Sequence, residues 1–150
     1  MIAHPAPQPT DRKAWMGLLA RAKPAHLATL FPQLPPHDFL RAPEIGAVMV
    51  RGRIGGTGQP FNLGEMTVTR CALRLGSGTV GHGHVQGRDK AHATRAAVLD
   101  ALLQTDQAAA LQISVLQPLA EGEAQRRATR AAKAAATRVE FFTLVRGEDQ

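Results

Sequence analysis

The stretch from Arg51 to Lys90 constrains the fold most, because it contains two glycine-rich turns that separate segments with strand-like alternation. It reads RGRIGGTGQPFNLGEMTVTRCALRLGSGTVGHGHVQGRDK. Glycine permits the positive φ angles of tight turns, and short turns join antiparallel neighbours in a sheet. The basic tetrapeptide at its end, GRDK, opens a segment with helical periodicity. The stretch therefore predicts an antiparallel meander that is followed by a helix.

Strand-like composition predicts three strands, at 39–54, 63–75 and 79–85. In the first, Val48, Val50 and Ile54 fall on one side of an extended chain, so we expect that side to be buried. GSG at 76–78 predicts a tight hairpin turn before the third strand. The loop IGGTGQP, at 54–60, is either a plain turn or a loop that holds a ligand. It lacks the lysine and hydroxyl of a P-loop, which favours the plain turn.

Helical spacing of apolar residues predicts helices over 11–23, from Pro24 to about Phe31, after Asp89, and over 119–138. Thr10 and Asp89 are the expected N-caps of the first and third helices. We expect a break near Pro118, because proline interrupts the hydrogen bonds of a helix. The fold class predicted is α+β: an antiparallel meander sheet of three or four strands flanked by helices, with an alanine-rich C-terminal helix.

The third predicted strand alternates glycine and histidine. Gly81 and Gly83 share one face, and glycine destabilises a strand, so we expect either a closely packed helix or a ligand against that face. His82 and His84 share the other face, and together with His92 they could hold zinc. The sequence has no carboxylate or thiolate set at fitting spacing beside them. Histidines on the surface or in packing contacts are therefore the favoured interpretation.

Length and composition are those of one domain. A chain of 150 residues, 44% of them hydrophobic, buries roughly 70% of its unfolded surface. We expect the domain to span 10–147, between a disordered proline-rich tail (1–9) and an acidic tail (148–150), with the apolar segment 139–145 anchoring its end. Cys71 is the only cysteine, so no internal disulfide can form. Without a secretory signal pattern or an apolar run near the ~20 residues of a membrane span, the expectation is a cytoplasmic protein.

A net charge of +6 and a pI near 10.7 favour anionic partners. Arg88 and Lys90 lie at the start of the third helix, where cations oppose the helix dipole. A bound polyphosphate or acidic protein surface would reverse that penalty, with the Gly87 backbone also in contact. Arg70 and Arg74 share a strand face and are expected to join the same pocket. A solvated or salt-bridged basic patch is the alternative that these residues leave open.

The last predicted helix is poor in large apolar residues, because its seam consists of alanines and one valine. Such a seam permits close approach but buries little area, so we expect this helix to lie against a partner chain or to be partly exposed. The seam and the basic residues around it are Ala124, Ala128, Ala131, Ala135 and Val139, and Arg126, Arg127, Arg130 and Lys133.

Several segments occur in a characteristic order: Trp15-Met16, LRAPEIG (40–46), RIGGTGQPF (53–61), TVTRCALRL (67–75), VQGRDKAH (85–92) and RVEFFTLVRG (138–147). Together they resemble one family, the G subunit (PhnG) of the bacterial carbon–phosphorus lyase core complex. The most specific part is VQGRDK followed by the alanine- and leucine-rich helix and the terminal FFT-VRG pattern. GGTG alone is a weak signal.

The resemblance implies an accessory subunit in organic phosphonate catabolism, with the H, I and J subunits as core partners and the I subunit closest. In that pathway a phosphonate displaces adenine from C1′ of ATP to give ribose 1-methylphosphonate 5-triphosphate, a reaction that needs the H, I and L subunits beside G. The complex is then a transferase that uses ATP, and its radical subunit uses an iron–sulfur cluster and S-adenosylmethionine. For the isolated chain, the resemblance implies no catalytic residue, no bound metal or cofactor, and no activity.

A stand-alone basic nucleic-acid-binding module is the alternative from a different functional class. The net charge and the arginine-rich last helix favour it, and it would bind with strong salt dependence because counterions are released. Only 4% of the residues are aromatic and none is tyrosine, so stacking platforms for bases are scarce. The composition therefore makes nucleic acid the weaker of the two predictions.

Overall fold

A three-stranded antiparallel sheet with helices packed against it forms the body of the protein, and a computed structural model describes residues 10–138. The strand order β1-β2-β3 confirms the predicted α+β meander. The tails at 1–9 and 148–150 and the apolar segment 139–145, each the subject of a prediction, lie outside the described residues. The elements are α1 (Arg12–Arg21), α2 (Pro24–Leu30), β1 (His37–Arg53), β2 (Pro60–Leu75), β3 (Val80–Gln86), α3 (Lys90–Leu102), α4 (Ala108–Leu111) and α5 (Gln117–Ala136).

The first hairpin is much longer than the third strand that supports it. β1 and β2 pair from His37 opposite Leu75 to Arg53 opposite Pro60. β3 pairs with β2 only over the part of β2 from Val68 to Arg74. Residues 47–67, which we call the arm, therefore extend beyond β3 as a two-stranded hairpin closed by a 3₁₀ turn at Ile54–Gly56.

Alternation along β2 and β3 determines which face of the sheet the helices cover. Cys71, Leu73 and Leu75 are buried on one face of β2, while Arg70 and Arg74 are exposed on the other. Successive strand side chains point to opposite faces, so this pattern needs only one covered face. The core that covers it comes from all parts of the body, and its largest fully buried apolar side chains are Leu19, Leu27, Leu73, Leu99 and Leu116.

Helix α3 lies in direct contact with the backbone of β3. A Cβ atom added at Gly81 would lie 1.9 Å from the Ala97 carbonyl oxygen, and one added at Gly83 would lie 2.1 Å from that of Ala93. Alanines 93, 97 and 101 on the facing side of the helix are fully buried. Of the two interpretations left open by the sequence, the closely packed helix is confirmed.

Two local predictions about helix ends were wrong. Asp11, not Thr10, caps α1, and its carboxylate accepts a hydrogen bond from the Ala14 N–H at 2.6 Å. The expected break at Pro118 does not occur, because a π-helical turn at Gln112–Leu116 precedes α5 and Pro118 falls in the first turn of that helix. The helix runs on through this point, because the π-helical turn, in which the Gln117 N–H donates to the Gln112 carbonyl oxygen, changes the hydrogen-bond pattern just before the proline.

The predicted burial along β1 was also wrong. Val48 and Val50 are half-buried, and Ile54 is exposed at the tip of the arm. The alternation that the sequence shows is real, but no described element covers this part of the hairpin. Apolar alternation identifies a face that can be buried, and the covering element must come from elsewhere.

Helix α5 leaves the body after its first turns. Leu119 is its only buried residue, and every residue from Arg127 to Ala136 is exposed. This confirms the expectation of partial exposure, whereas contact with a partner chain stays a prediction. No helix among residues 10–138 is long and apolar enough to cross a membrane.

We predict that Gly81→Ala and Gly83→Ala each destabilise the fold by about 1–3 kcal/mol or more, because the new methyl group would overlap a backbone carbonyl of α3. Gly64→Ala is the matched control: Gly64 is also a strand glycine, and its added Cβ would meet nothing within 4 Å. Urea denaturation measures the free energy of unfolding of each variant. Equal stabilities for the three variants would contradict the close contact.

Candidate functional site around helix α3

The residues before α3 form a tight, hydrogen-bonded turn. Gly87 has a φ of +93°, which favours glycine. Its N–H donates to the Thr67 carbonyl oxygen at 2.9 Å, and its own carbonyl oxygen accepts from the Thr69 hydroxyl at 2.7 Å. Asp89 caps the helix as predicted, accepting from the His92 N–H at 2.9 Å. The Gly87 N–H is therefore engaged by β2, which corrects the expectation that this group contacts an anion.

Arg88 and Lys90 are the free cations of this turn. Both are exposed, and neither forms a salt bridge with any residue between 10 and 138. Their charges oppose the dipole of α3, and only the capping carboxylate of Asp89 offsets them locally. The two side chains are therefore available to an external anion.

Arg70 and Arg74 do not join this turn, so the predicted single basic pocket is not formed. They do share a strand face, but that face is the one opposite α3. Arg74 pairs with Val80 at the far end of β3 from Gly87, about 20 Å along the strand at 3.3 Å per residue. The prediction that Arg70 and Arg74 share a strand face is confirmed. Alternation along β2 alone does not show that this face is turned away from α3, because that depends on the register between β2 and β3.

Arg70 is also neutralised by a neighbour. Its Nε donates to Glu44 Oε1 at 2.8 Å, and Arg41 pairs with the same carboxylate. The hydrogen bond from Arg70 and the charges of both arginines hold the pKa of Glu44 below its usual value. Arg70 thus belongs to an exposed ionic cluster on the open face of the sheet.

The three histidines considered for zinc do not meet. His82 and His84 are exposed on the open face of the sheet. His92 belongs to α3 and is buried on the opposite, helix-covered side. Residues 10–138 contain no group of three or more histidine, cysteine or acidic side chains placed to hold a metal ion. The positions of these histidines agree with the surface and packing interpretation.

A buried carboxylate that the sequence did not reveal lies in the second half of α3. Asp100 is fully buried and accepts four hydrogen bonds. Arg12 donates through Nε at 3.1 Å and through Nη2 at 2.7 Å, the Trp15 indole N–H donates at 2.9 Å, and the His82 backbone N–H donates at 2.9 Å. Bidentate arginine pairing is among the strongest interactions available to a carboxylate. Asp100 therefore ties α1, α3 and the outer edge of β3 together.

In the sequence, the sign of this cluster is an acidic residue inside an apolar segment. Asp100 interrupts AAVLDALL, and α1 presents Arg12 and Trp15 three residues apart, on one side of a helix. Neither pattern by itself identifies its partner. The hydrogen bond with Asp100 raises the pKa of the Arg12 guanidinium, so the guanidinium stays charged at every physiological pH.

Two buried groups near α3 have nucleophile or base chemistry in principle. Burial raises the pKa of the Cys71 thiol to about 11, so at neutral pH it is a protonated, apolar side chain. His92 Nε2 donates to the Leu19 carbonyl oxygen at 2.8 Å, and its buried Nδ1 has no partner among the described residues. Desolvation lowers the pKa of His92, which keeps the ring neutral. Both groups are packed inside the body rather than presented to a substrate.

Comparison with known proteins identifies the family. The profile described as "Phosphonate metabolism protein PhnG" matches residues 10–147. Over 146 residues the chain is 48% identical to the "Alpha-D-ribose 1-methylphosphonate 5-triphosphate synthase subunit PhnG" of Rhizobium meliloti (strain 1021), covering 93% of this chain and 91% of that protein. The chain belongs to the PhnG family.

The PhnG match confirms the resemblance that the ordered sequence motifs indicated. It spans every described element, including the arm, the start of α3 and the exposed part of α5. The candidate residues Arg88 and Lys90 thus lie well inside the PhnG region of the chain. Both residues lie in the capped turn of α3, and their side chains are exposed to solvent.

We predict that Asp100→Ala destabilises the protein by about 3 kcal/mol or more, because it leaves a guanidinium, an indole N–H and a backbone N–H without their acceptor. The exposed Asp106 provides the control, and Asp106→Ala should change the free energy of unfolding by less than about 0.5 kcal/mol. Urea denaturation at pH 7 compares them. Equal losses would show that Asp100 does not join the three elements.

We predict that His92 makes the fold less stable below pH 6.5. Its pKa in the folded state lies below the ordinary 6.5, so the unfolded chain takes up the proton first as the pH falls. The stability contributed by the neutral ring is thus complete above pH 6.5 and decreases below it, by at most about 1.4 kcal/mol per pH unit, until the folded pKa is reached.

His92→Gln should remove this part of the pH dependence, whereas the same change at the exposed His84 should leave it. The measurement is the free energy of unfolding of the three proteins between pH 7.5 and 5.5. Identical pH slopes for wild type and His92→Gln would refute the assignment.

Proposed function

We propose that this chain is an accessory subunit of an alpha-D-ribose 1-methylphosphonate 5-triphosphate synthase. The observation that carries the proposal is the 48% identity to the Rhizobium meliloti subunit across nearly the full length of both chains. The substrates of the complex are then ATP and a phosphonate, and the reaction releases adenine. The H, I and J subunits are the proposed core partners, with I closest, and the H, I and L subunits act with this chain in adenine displacement.

The described surface supports an accessory rather than a bond-making role. The Cys71 thiol and the His92 ring are buried, and the exposed side chains of Arg88 and Lys90 at the start of α3 carry positive charge. Positive charge at a protein surface attracts polyphosphates and acidic proteins without forming covalent intermediates. In this proposal the chain binds no cofactor, works in the cytoplasm, and leaves iron–sulfur and S-adenosylmethionine chemistry to the radical subunit.

Reconstitution with the partner subunits tests the function. The H, I, J and L subunits are mixed with ATP and methylphosphonate, with and without this chain, and adenine release is followed by chromatography. We expect release only when the chain is present, and none from the isolated chain. Full release without it, or from it alone, would refute the proposal.

Within that assay, Arg88 and Lys90 are the residues proposed to contact polyphosphate or an acidic partner. We predict that Arg88→Glu/Lys90→Glu lowers adenine release at least tenfold. The substitutions place carboxylates at a helix N-terminus, where they stabilise the helix, so the fold should persist. Lys13→Glu/Lys23→Glu makes the same change in net charge at exposed positions and should retain activity. Wild-type activity in the first variant would remove these residues from the proposal.

A nucleic-acid-binding module would behave differently in the same preparations. It predicts retardation of duplex or single-stranded DNA that weakens steeply with salt, and no effect on adenine release. The four cations of α5 supply the observation that favours it. Adenine release that depends on the chain has no explanation under this alternative, so the reconstitution separates the two functions.

A further inference from the structure

The arm carries an unusual amount of exposed apolar surface. Within it, Met49 is 52%, Ile54 64%, Phe61 40% and Leu63 66% exposed. In the part of the chain from 10 to 138, Ile113 is the only strongly exposed large hydrophobic residue outside the β1–β2 hairpin. Single exposed apolar side chains are common on proteins, but Phe61 and Leu63 lie together, since a Cβ added at Gly52 would have both side chains within 4 Å. Exposed apolar side chains that are grouped mark an interaction site.

The backbone of the arm is also unpaired on its outer sides. β1 is an edge strand of the sheet along its whole length, and β2 has no second neighbour from residue 60 to 66. Open strand edges present rows of N–H and C=O groups to any chain that can pair with them. A two-stranded hairpin is at best marginally stable in water. The arm therefore gains stability from a covering partner.

The tip of the arm is held in one shape by its own hydrogen bonds. Gly55 and Gly56 take φ angles of +59° and +85°, and the Gly58 N–H donates to the Ile54 carbonyl oxygen at 2.8 Å. Arg53 Nη1 donates to the Gly58 carbonyl oxygen at 3.2 Å. A preformed tip loses little conformational freedom on binding. The hydrogen-bonded turn thus holds Ile54 with its side chain exposed to solvent.

Charge at the tip indicates the chemistry of the partner. Arg51 and Arg53 line an open pocket of about 400 Å³ with Gly52, Gly56 and Pro60. Neither arginine forms a salt bridge with a described residue, whereas Arg41 and Arg70, farther from the tip on the same hairpin, pair with Glu44. The tip can therefore accept carboxylates from another molecule.

Two other occupants fit less well. A second copy of this chain would bring a net charge of +6 against another +6, and like charges disfavour association. A lipid bilayer would cover the apolar side chains but leave the open strand edges without hydrogen bonds, which costs several kcal/mol per group in hydrocarbon. A protein surface can satisfy side chains, backbone and charge together.

We propose that the arm docks into another subunit of the synthase, which supplies an apolar groove for Ile54, Phe61 and Leu63, extended backbone beside the open edge, and carboxylates for Arg51 and Arg53. Strand addition of this kind combines main-chain hydrogen bonds with side-chain pockets. The inference rests on the proposed function and specifies the surface by which this chain enters the complex.

The test uses the full chain and the H, I and J subunits. Ile54→Glu/Leu63→Glu should raise the Kd for assembly at least tenfold, because two carboxylates would enter an apolar groove. Ile113→Glu changes an equally exposed residue, at 69%, outside the arm and should assemble as wild type does. Arg51→Glu/Arg53→Glu should also weaken assembly. All substituted side chains are exposed, and circular dichroism checks that each variant is folded.

Each outcome has a distinct meaning. Wild-type assembly of both arm variants would overturn the docking site while leaving the synthase assignment intact. If the wild-type chain itself failed to assemble with these subunits, both proposals would fall. Sedimentation with anionic vesicles and light scattering of the isolated chain complete the comparison. Vesicle binding or self-association that Ile54→Glu/Leu63→Glu abolishes would assign the arm to a membrane or to a second copy, and would overturn the proposal.

Discussion

The close approach of α3 to β3 is the contact on which the rest of the structure depends. Gly81 and Gly83 expose the strand backbone, and the small residues of α3 allow the helix to lie against it. Contact at this distance leaves no room for side chains between the two elements. The position of α3 on the sheet is therefore set by the shape of the two backbones rather than by side chains that could change rotamer. Asp100, on the same helix, then fastens α1 and the N–H of His82 around it. One helix thereby holds α1 and the edge strand β3 in position.

This arrangement concentrates stability in the body and leaves two extensions outside it. The arm projects beyond β3, and α5 projects beyond its buried Leu119. Neither extension buries enough apolar area against the described residues to account for its own regular structure, since isolated helices and hairpins are marginal in water. In the proposed complex, the arm and the exposed part of α5 are surfaces that partner subunits would cover.

The structure places two reactive side chains in the interior and cations without salt-bridge partners at the surface. Cys71 and His92 are buried and held in their neutral forms, Cys71 by a raised pKa and His92 by a lowered one. Exposed cations without salt-bridge partners among the described residues lie at the start of α3 and at the tip of the arm. These two basic positions lie on different elements and can serve different contacts. The one pocket expected from Arg70, Arg74, Arg88 and Lys90 does not form, because Arg70 and Arg74 lie on the face of the sheet opposite α3.

The sequence alone determined the features that depend on neighbours along the chain: the meander, its glycine turns, the capping of α3 by Asp89, and the family, through the order of its motifs. Tertiary structure decided the features that depend on distant residues. The four hydrogen bonds of Asp100 come from α1 and β3, and the side of the sheet that α3 covers separates Arg70 and Arg74 from Arg88. The glycines of β3 indicated the face of that strand that α3 covers, but which residues of β2 share this face depends on the register between the two strands, which periodicity alone does not give.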